Sequence, residues 1–266
     1  LCLHKCLITL LPYHVSKPIL VVKFGTAAIT QSNGEPNLHV IAEIARQASV
    51  LHSAYQIILV SSGAVGAGKS MIHNYKGSLT QRKAAAAVGN PLLIGHYADA
   101  FRPFGIAIAQ SLCERQHFAS RTHFLQLKHT FEELWQSGVI PVVNENDVVS
   151  DRELRFSDND ELATLLAAGF GASALLICTS VGGLLDEAGN VVPEVEDVNT
   201  AFRLVRDEKS ALGLGGMVSK LTFAKLATRM GIQVIIFGMG TPNSLLAALE
   251  GKAGTRFLPQ KSTLTA

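Results

Sequence analysis

Residues 57–70 of the chain, IILVSSGAVGAGKS, join a short apolar run to a turn that is rich in glycine. Four consecutive apolar residues, 57–60, are typical of a strand that is buried on both faces of a sheet. From Gly63 to Ser70 the residues also match the phosphate-binding pattern G-x-x-x-x-G-K-[ST] without a mismatch. The stretch therefore predicts a buried strand, and it raises the question of what the turn after that strand binds.

A strand and a helix are predicted upstream of this stretch. Residues 19–24 form a second apolar run, which contains Lys23 and is followed by Gly25. Residues 37–52 carry apolar side chains at helical spacing, which predicts a helix with Asn37 as its N-cap. Strand, helix and strand in this order are the unit of a parallel sheet.

The same alternation continues along the chain. Residues 186–199, rich in acids and turn residues, are a candidate seam between two lobes. The triplet 89–91 (GNP) is expected to bend or split the helix around it, and residues 147–156 are expected to form a small hairpin or excursion. The fold class is therefore α/β, with a mostly parallel sheet. Further helices are predicted at 84–101, 126–137, 160–169, 218–230 and 243–250, and further strands at 105–110, 139–143, 174–179 and 233–237.

The composition excludes some classes of function. Of 266 residues, 48% are hydrophobic and 17% are charged, and the formal net charge is +2. Because the 23 basic residues are interleaved with 21 acidic ones, no basic block typical of a nucleic-acid interface is present. The apolar stretch at the N-terminus is interrupted by His4 and Lys5 and is too short to span a bilayer. We expect residues 1–16 to form an extension outside the fold and no part of the chain to enter a membrane.

The four cysteines show no C-x-x-C spacing, which argues against a zinc site. Cys178 lies in an apolar run and is interpreted as a small buried thiol. Reduced thiols are typical of a cytosolic protein, so a cytoplasmic location is expected.

Small or polar residues follow each predicted strand. Parallel strands gather ligands at their carboxyl ends, so these residues are expected to line a site. Lys23 and Gly25 lie at the first strand, Ser62 after the second, Asp147 after the 139–143 strand, and Thr179 at the end of the 174–179 strand. Taken alone, Lys23 is equally compatible with a surface lysine at a strand end.

Two further polar clusters begin predicted helices. In 157–161, SDNDE, capping of the helix by Asp158 is the simplest structural role, but one cap does not require Asn159 and Asp160 as well. In 213–220, GLGGMVSK, glycines lead into a helix with Lys220 in its first turn, where free N–H groups face an anion. Lysines, glycine backbones and a carboxylate that holds the lysines together indicate phosphoryl transfer.

A P-loop enzyme is the alternative for the glycine-rich turn. Such an enzyme needs a second strand that ends in Asp to hold magnesium. The candidate strands end in Asn144, Thr179 and Gly238 instead, and the pattern arises readily by chance where Gly and Ala are abundant. The P-loop interpretation is therefore the weaker one.

Five motifs in order resemble those of the glutamate 5-kinases, in the amino acid kinase superfamily. The resemblance covers residues 17–257, nearly the whole chain. The motifs are VVKFGTA (21–27), VSSGAVGAG (60–68), PVVNENDVV (141–149), SDNDELA (157–163) and GLGGMVSK (213–220).

The resemblance implies a three-layer α/β/α sandwich over residues 17–261, with an amino-acid side at about 17–170 and a nucleotide side at about 171–261. It also implies a role for each matching residue. Lys23 would contact the transferred phosphoryl group, and Asp160 would orient Lys23 and Lys220. Glutamate would be held by Ser62, Gly63, Ala64, Asp147 and Asn159, and ATP by Lys23, Thr179, Ser180, Leu214, Gly215, Gly216, Met217, Val218, Ser219 and Lys220.

The implied reaction is ATP-dependent phosphorylation of the glutamate side-chain carboxylate, with Mg²⁺ as cofactor and proline synthesis as the pathway. A homo-oligomer, dimer or tetramer, and a glutamyl-phosphate reductase as partner are implied too. Three departures from the family pattern stand out. Ser180 stands where the family usually has Asp, and Lys69 stands where it often has Arg. The third is the expectation of a short form without the C-terminal PUA module. Another amino acid kinase, or a non-catalytic sensor on the same fold, is the alternative.

Overall fold

The computed structural model describes residues 17–149, 159–205 and 216–260, and within them eight strands and ten helices. The strands are β1 (Ile19–Phe24), β2 (Gln56–Ser61), β3 (Ile108–Cys113), β4 (Ile140–Glu145), β5 (Ala174–Cys178), β6 (Glu194–Val195), β7 (Gln233–Phe237) and β8 (Thr255–Phe257). The helices are α1 (Thr26–Ile29), α2 (Leu38–Leu51), α3 (Ala64–Gly68), α4 (Leu79–Phe101), α5 (Gln116–Ala119), α6 (Arg121–Gln136), α7 (Asn159–Phe170), α8 (Val198–Ala201), α9 (Met217–Arg229) and α10 (Ser244–Leu249).

All eight strands belong to one sheet, in the order β3-β4-β2-β1-β5-β7-β8-β6. Only the pairing of β7 with β8 is antiparallel among the described strands. The register places Phe24 of β1 opposite Ser61 of β2 and Cys178 of β5, and Cys178 opposite Phe237 of β7. The carboxyl ends of the four central strands therefore lie side by side at one edge of the sheet.

Each face of the sheet is covered by helices, as the composition predicts for a largely parallel sheet. On one face α2, α4 and α10 pack against Leu20, Val22 and Phe24. On the other face α7, α8 and α9 pack against Val21 and the residues beside it in the sheet. The three-layer α/β/α sandwich expected from the resemblance is confirmed.

Most of the predicted elements are present. The strand at 19–24 and the strand at 233–237 have the predicted bounds, and the side chain of Asn37 accepts from the backbone N–H of Val40 as the predicted cap of α2. The strand predicted at 105–110 is shifted three residues and is β3 (Ile108–Cys113). Most of the hairpin expected at 147–156 lies outside the described residues.

Of the bend or split expected in the helix around residues 89–91, the split is wrong. The helix α4 runs without interruption from Leu79 to Phe101 with Pro91 inside it, and a capping box of Ser78 and Gln81 starts it five residues earlier than predicted. Proline costs about 3 kcal/mol inside a helix. Burial of α4 residues on both sides of Pro91 offsets this cost; they include Ala85, Ala86, Leu93, Tyr97 and Phe101.

Glycines let α3 and α4 approach each other backbone to backbone. A Cβ atom on Gly68 would clash with the carbonyl oxygen of Ala85, and one on Gly89 would clash with that of Ala64. A Cβ on Gly66 would likewise clash with the carbonyl oxygen of Gly34. The close packing of α3, which follows β2 in the sequence, therefore requires these glycines, whatever ligand the turn binds.

We predict that Gly89→Ala destabilises the fold by about 1–3 kcal/mol, the cost of overpacking, because its methyl group would press on the backbone of α3. Urea unfolding at pH 7 measures the change. Gly95→Ala is the matched control, since it lies on the same helix and a Cβ there meets nothing within 4 Å. The control should be neutral or stabilising, by up to about 1 kcal/mol; equal losses in both variants would contradict the packing explanation.

Candidate active site

Three charged side chains meet at the carboxyl edge of the sheet. The carboxylate of Asp160 forms an ion pair with the ammonium group of Lys23 through Oδ1, and Lys220 Nζ lies 3.0 Å from Oδ2. Asp160 is 0% exposed, Lys23 4% and Lys220 7%. We call this set the Lys–Asp–Lys triad. It carries a net charge of +1 in the interior, and this charge suits an anion.

Local sequence patterns explain how the triad assembles. Successive side chains of a strand point to opposite faces of the sheet, so Lys23 lies on the same face as Val21, which packs with α7 and α9. Asp160 is the second residue of α7, and Lys220 lies in the first turn of α9. The triad thus joins one strand and two helix N-termini.

The pKa of Asp160 shows how strongly the lysines act on it. Burial alone would raise the pKa of this carboxyl group, but the charges of Lys23 and Lys220, together with their hydrogen bonds, outweigh burial and lower it. Asp160 is therefore ionised at neutral pH and holds the two ammonium groups near each other.

A second, neutral group of side chains lies beside the triad. Asn159 Nδ2 donates to Ser62 Oγ at 2.8 Å and to Asn144 Oδ1 at 2.9 Å. Ser62 itself is held by its backbone N–H, which donates to the carbonyl of Phe24 at 3.0 Å. The structure thus brings together two predicted substrate residues, Ser62 and Asn159. Asn144, which ends a predicted strand, was not predicted as a site residue.

The turn after β2 requires glycine at one position. Gly63 has a φ of 100°, in the left-handed region, and a Cβ there would lie 3.1 Å from Ile29 Cδ1. Ala64 begins α3 and is buried. The side chain of Lys69 lies against Gly34, and Gly66 and Gly68 face backbone atoms of neighbouring segments. The glycines and the lysine of the P-loop pattern therefore have structural contacts, and the ammonium groups on Asp160 are those of Lys23 and Lys220.

An open cleft of about 510 Å³ lies at the carboxyl ends of β5 and β7. Ser180, one of the residues predicted to bind the nucleotide, lines it. A Cβ on Gly238 would lie 2.9 Å from Gly182 Cα, so the two loops of the cleft pass close to each other. Residues 238–241 follow the predicted 233–237 strand, but they are not among the residues to which the resemblance gives a role in ATP binding. The cleft is also lined by Gly182, Gly238, Gly240, Thr241 and Lys252.

The other predicted residues are distributed around this edge. Asp147 is half-buried in the turn after β4, and the backbone N–H of Thr179 donates to the carbonyl of Phe237 at 2.7 Å. Gly216 is the N-cap of α9, and Met217, Val218 and Ser219 form its first turn with Lys220. Leu214 and Gly215 lie outside the described residues. Within the described part of the chain, Thr179 and Met217–Ser219 do not line the cleft.

Comparison with known proteins decides the family. The sequence model of the Amino acid kinase family matches residues 18–238. A glutamate 5-kinase of Chlorobaculum tepidum is 38% identical over 251 residues, which cover 91% of this chain and 69% of the relative. The chain belongs to the glutamate 5-kinases of the amino acid kinase family.

Further relatives agree with this membership. A glutamate 5-kinase of Thermus thermophilus is 39% identical over 248 residues, 90% of this chain and 66% of its own length. The chain thus spans about two thirds of the length of these glutamate 5-kinases.

Solved structures of two other kinases share the fold. A carbamate kinase from Giardia lamblia bound to AMP-PNP has a TM-score of 0.66 at 19% identity, covering 92% of this chain and 99% of its own. A UMP kinase from Ureaplasma parvum has a TM-score of 0.61 at 14% identity, covering 91% of this chain and 100% of its own. At these identities the likeness concerns the fold alone.

The remaining sequence predictions concern thiols and the membrane. Cys178 is buried, as predicted, and burial raises the pKa of its thiol to about 12, so the group stays protonated and unreactive. In residues 17–149, 159–205 and 216–260, no helix is long and apolar enough to cross a bilayer.

We predict that Asp160→Asn lowers the free energy of unfolding by about 3–5 kcal/mol at pH 7, because it leaves two buried ammonium groups without a counter-charge. Urea unfolding measures this loss. Asp99→Asn is the control: Asp99 also pairs with a cation, Arg102, but both side chains are largely exposed, and stability should hardly change.

The stability difference between wild type and Asp160→Asn is expected to depend on pH. Since the folded-state pKa of Asp160 is lowered, its contribution to stability is full above the ordinary Asp pKa of 3.8 and is lost as the pH falls through the folded-state value. The difference in free energy of unfolding between wild type and Asp160→Asn should therefore become smaller as the pH falls below 3.8. A difference that stays constant from pH 7 to pH 2 would contradict the role given to this carboxylate.

Proposed function

We propose that the chain transfers the terminal phosphoryl group of ATP to the side-chain carboxylate of L-glutamate, the first step of proline synthesis. A carboxylate oxygen attacks the γ-phosphorus, the bond from that phosphorus to the bridging oxygen breaks, and L-glutamyl 5-phosphate and ADP leave. The observation that carries this proposal is the Lys–Asp–Lys triad, in a chain that belongs to the glutamate 5-kinases.

The triad supplies what this reaction needs. The nucleophile is already an anion, so no general base is required. The main obstacle is the negative charge on the attacking carboxylate and on the phosphates, and buried cations are most effective against such charge where water is excluded. Lys23 and Lys220 would contact the phosphoryl group during transfer, while Asp160 keeps their ammonium groups in place before the substrates bind.

Glutamate would be bound by the segments after β2 and β4 and at the start of α7. Ser62 and Asn159 already contact each other, and the backbone of Gly63 and Ala64 continues the same turn. Asp147 lies just after β4, which is the strand beside β2. Asp147 and Asn159 would hold the amino and carboxylate ends of the amino acid, leaving the side-chain carboxylate to face the triad.

ATP would occupy the cleft beside Ser180, with its phosphates toward the first turn of α9. Free N–H groups at that helix start favour an anion, and the predicted contacts include residues 214–220. A purely sensory protein would not need two buried lysines around one carboxylate, so the triad supports catalysis over sensing.

Magnesium fits this site as a companion of the nucleotide. In the described part of the chain, no cluster of three or more His, Cys, Asp or Glu side chains could hold a metal ion. Mg²⁺ commonly keeps several waters and binds substrate phosphates, so the phosphate oxygens of ATP would be its main ligands. The ion would neutralise phosphate charge alongside Lys23 and Lys220.

Two features of the cellular setting follow from the reaction. The acyl phosphate product is labile, so a glutamyl-phosphate reductase that consumes it is the proposed partner. The buried thiols of Cys113 and Cys178 suit a reducing compartment such as the cytoplasm. A homo-oligomer, dimer or tetramer, is part of the same proposal.

A substrate panel tests the reaction. ADP release is measured with purified protein, MgATP, and glutamate, aspartate, acetylglutamate or UMP in turn. We expect activity with glutamate alone. ADP release with another substrate of the panel would indicate the activity of another amino acid kinase, and no ADP release with any of the four would support a sensor.

We predict that Lys23→Ala and Lys220→Ala each lower kcat by about 10²–10³-fold, the scale of one electrostatic donor to a transition state. Steady-state ADP release measures the effect. Lys69→Ala is the matched control: it removes the lysine of the P-loop pattern and should leave kcat and the KM for ATP unchanged. A large loss in Lys69→Ala together with near-normal turnover in the other two would favour the P-loop alternative.

A further inference from the structure

Three asparagine side chains form a row of hydrogen bonds that leads from the proposed glutamate site into the core. Asn159 Nδ2 donates to Asn144 Oδ1 at 2.9 Å, and Asn144 Nδ2 donates to Asn90 Oδ1 at 3.1 Å. Asn90 lies on α4 and is 5% exposed, and Asn144 is 6% exposed. The row therefore couples the middle of α4 to the first residue of α7.

The direction of every hydrogen bond in this row is fixed by one backbone group. The N–H of Glu145 donates to Asn144 Oδ1 at 2.9 Å. A backbone N–H can only donate, so the oxygen of Asn144 must face it. The amide nitrogen of Asn144 must then point toward α4, where it needs an acceptor, and Asn90 Oδ1 is that acceptor.

The fixed direction determines which atoms remain for a ligand. Both hydrogens of Asn159 Nδ2 are used, one on Asn144 and one on Ser62. Asn159 Oδ1 is buried and has no hydrogen-bond partner among the described residues. Because Ser62 Oγ accepts from Asn159, its own hydroxyl hydrogen is available to donate. Asn159 thus offers an acceptor, which suits an ammonium group, and Ser62 offers a donor, which suits a carboxylate.

Asn90 is a costly residue at its position if stability alone is considered. Its Nδ2 is buried without a hydrogen-bond partner in the described part of the chain, and such a group lowers the stability of the fold. It borders a small cavity of about 10 Å³ whose lining includes Leu93, Tyr97 and Val142. A leucine there would avoid the unpaired amide, so the use of asparagine is explained by its oxygen.

We propose that Asn90 is a positioning residue for the amino acid substrate. Its carbonyl oxygen fixes the amide of Asn144, and Asn144 in turn holds Asn159 with its oxygen toward the substrate ammonium group. Asn90 itself does not touch the substrate. This inference rests on the proposed function, because it takes glutamate as the ligand of Asn159.

Two substitutions separate the effect of losing the acceptor oxygen of Asn90 from the effect of losing stability. Asn90→Leu removes the acceptor, while Asn90→Asp keeps an oxygen acceptor but buries a carboxyl group, which costs stability. We expect the KM for glutamate to rise about tenfold in Asn90→Leu, the scale of one hydrogen bond, with the KM for ATP unchanged. In Asn90→Asp the KM for glutamate should stay within about threefold of wild type, although its melting temperature falls further.

Tyr97→Phe is the matched control. Tyr97 borders the same space, and its hydroxyl group lies 3.0 Å from Ser61 Oγ, outside the asparagine row. Its loss should lower the melting temperature without changing either KM. The inference is overturned if Asn90→Leu keeps the wild-type KM for glutamate, or if both KM values rise in all three variants in step with lost stability.

Failure of the proposed function would look different. In that case wild-type protein itself would not release ADP with glutamate, before any variant is compared. An active wild type with an unchanged Asn90→Leu variant would leave the reaction intact and remove only the positioning role.

Discussion

The site depends on one interaction: a buried carboxylate that holds two buried ammonium groups. Without Asp160, two like charges in the interior would repel each other and lack solvation. With it, Lys23 and Lys220 are fixed close together, and the net charge of +1 remains to attract an anion. The same pairing ties β1 to the starts of α7 and α9, so the fold and the charge of the site are built by the same residues.

The glycine-rich segment after β2 shows how one sequence pattern can serve another purpose. Gly63 turns the chain, while Gly66 and Gly68 allow α3 to contact neighbouring backbone. These are requirements of packing, and they account for the glycines of this phosphate-binding pattern without invoking a bound phosphate. Lys69 completes the pattern but lies against the loop at Gly34.

Much of this structure could be predicted from the sequence. Side chains alternate between the two faces of a strand, so Lys23 of β1 lies on the face that α7 covers. The motifs around Asp160 and Lys220 start helices, and a parallel sheet brings such helix starts and the strand ends to the same edge. The hydrogen bond that Asn144 donates to Asn90 could not be predicted, because it joins residues 54 positions apart and depends on how closely α4 packs. The short strands β6 and β8 were missed as well, since two or three residues carry no periodicity.

The central assignment is most directly tested by a crystal structure with ADP, Mg²⁺, glutamate and aluminium fluoride, which mimics a phosphoryl group in transfer. We expect the fluoride atoms of the mimic to lie within hydrogen-bonding distance of both Lys23 Nζ and Lys220 Nζ, with the side-chain carboxylate of glutamate in line. A mimic bound instead at the turn from Gly63 to Ser70, against Lys69, would contradict the assignment.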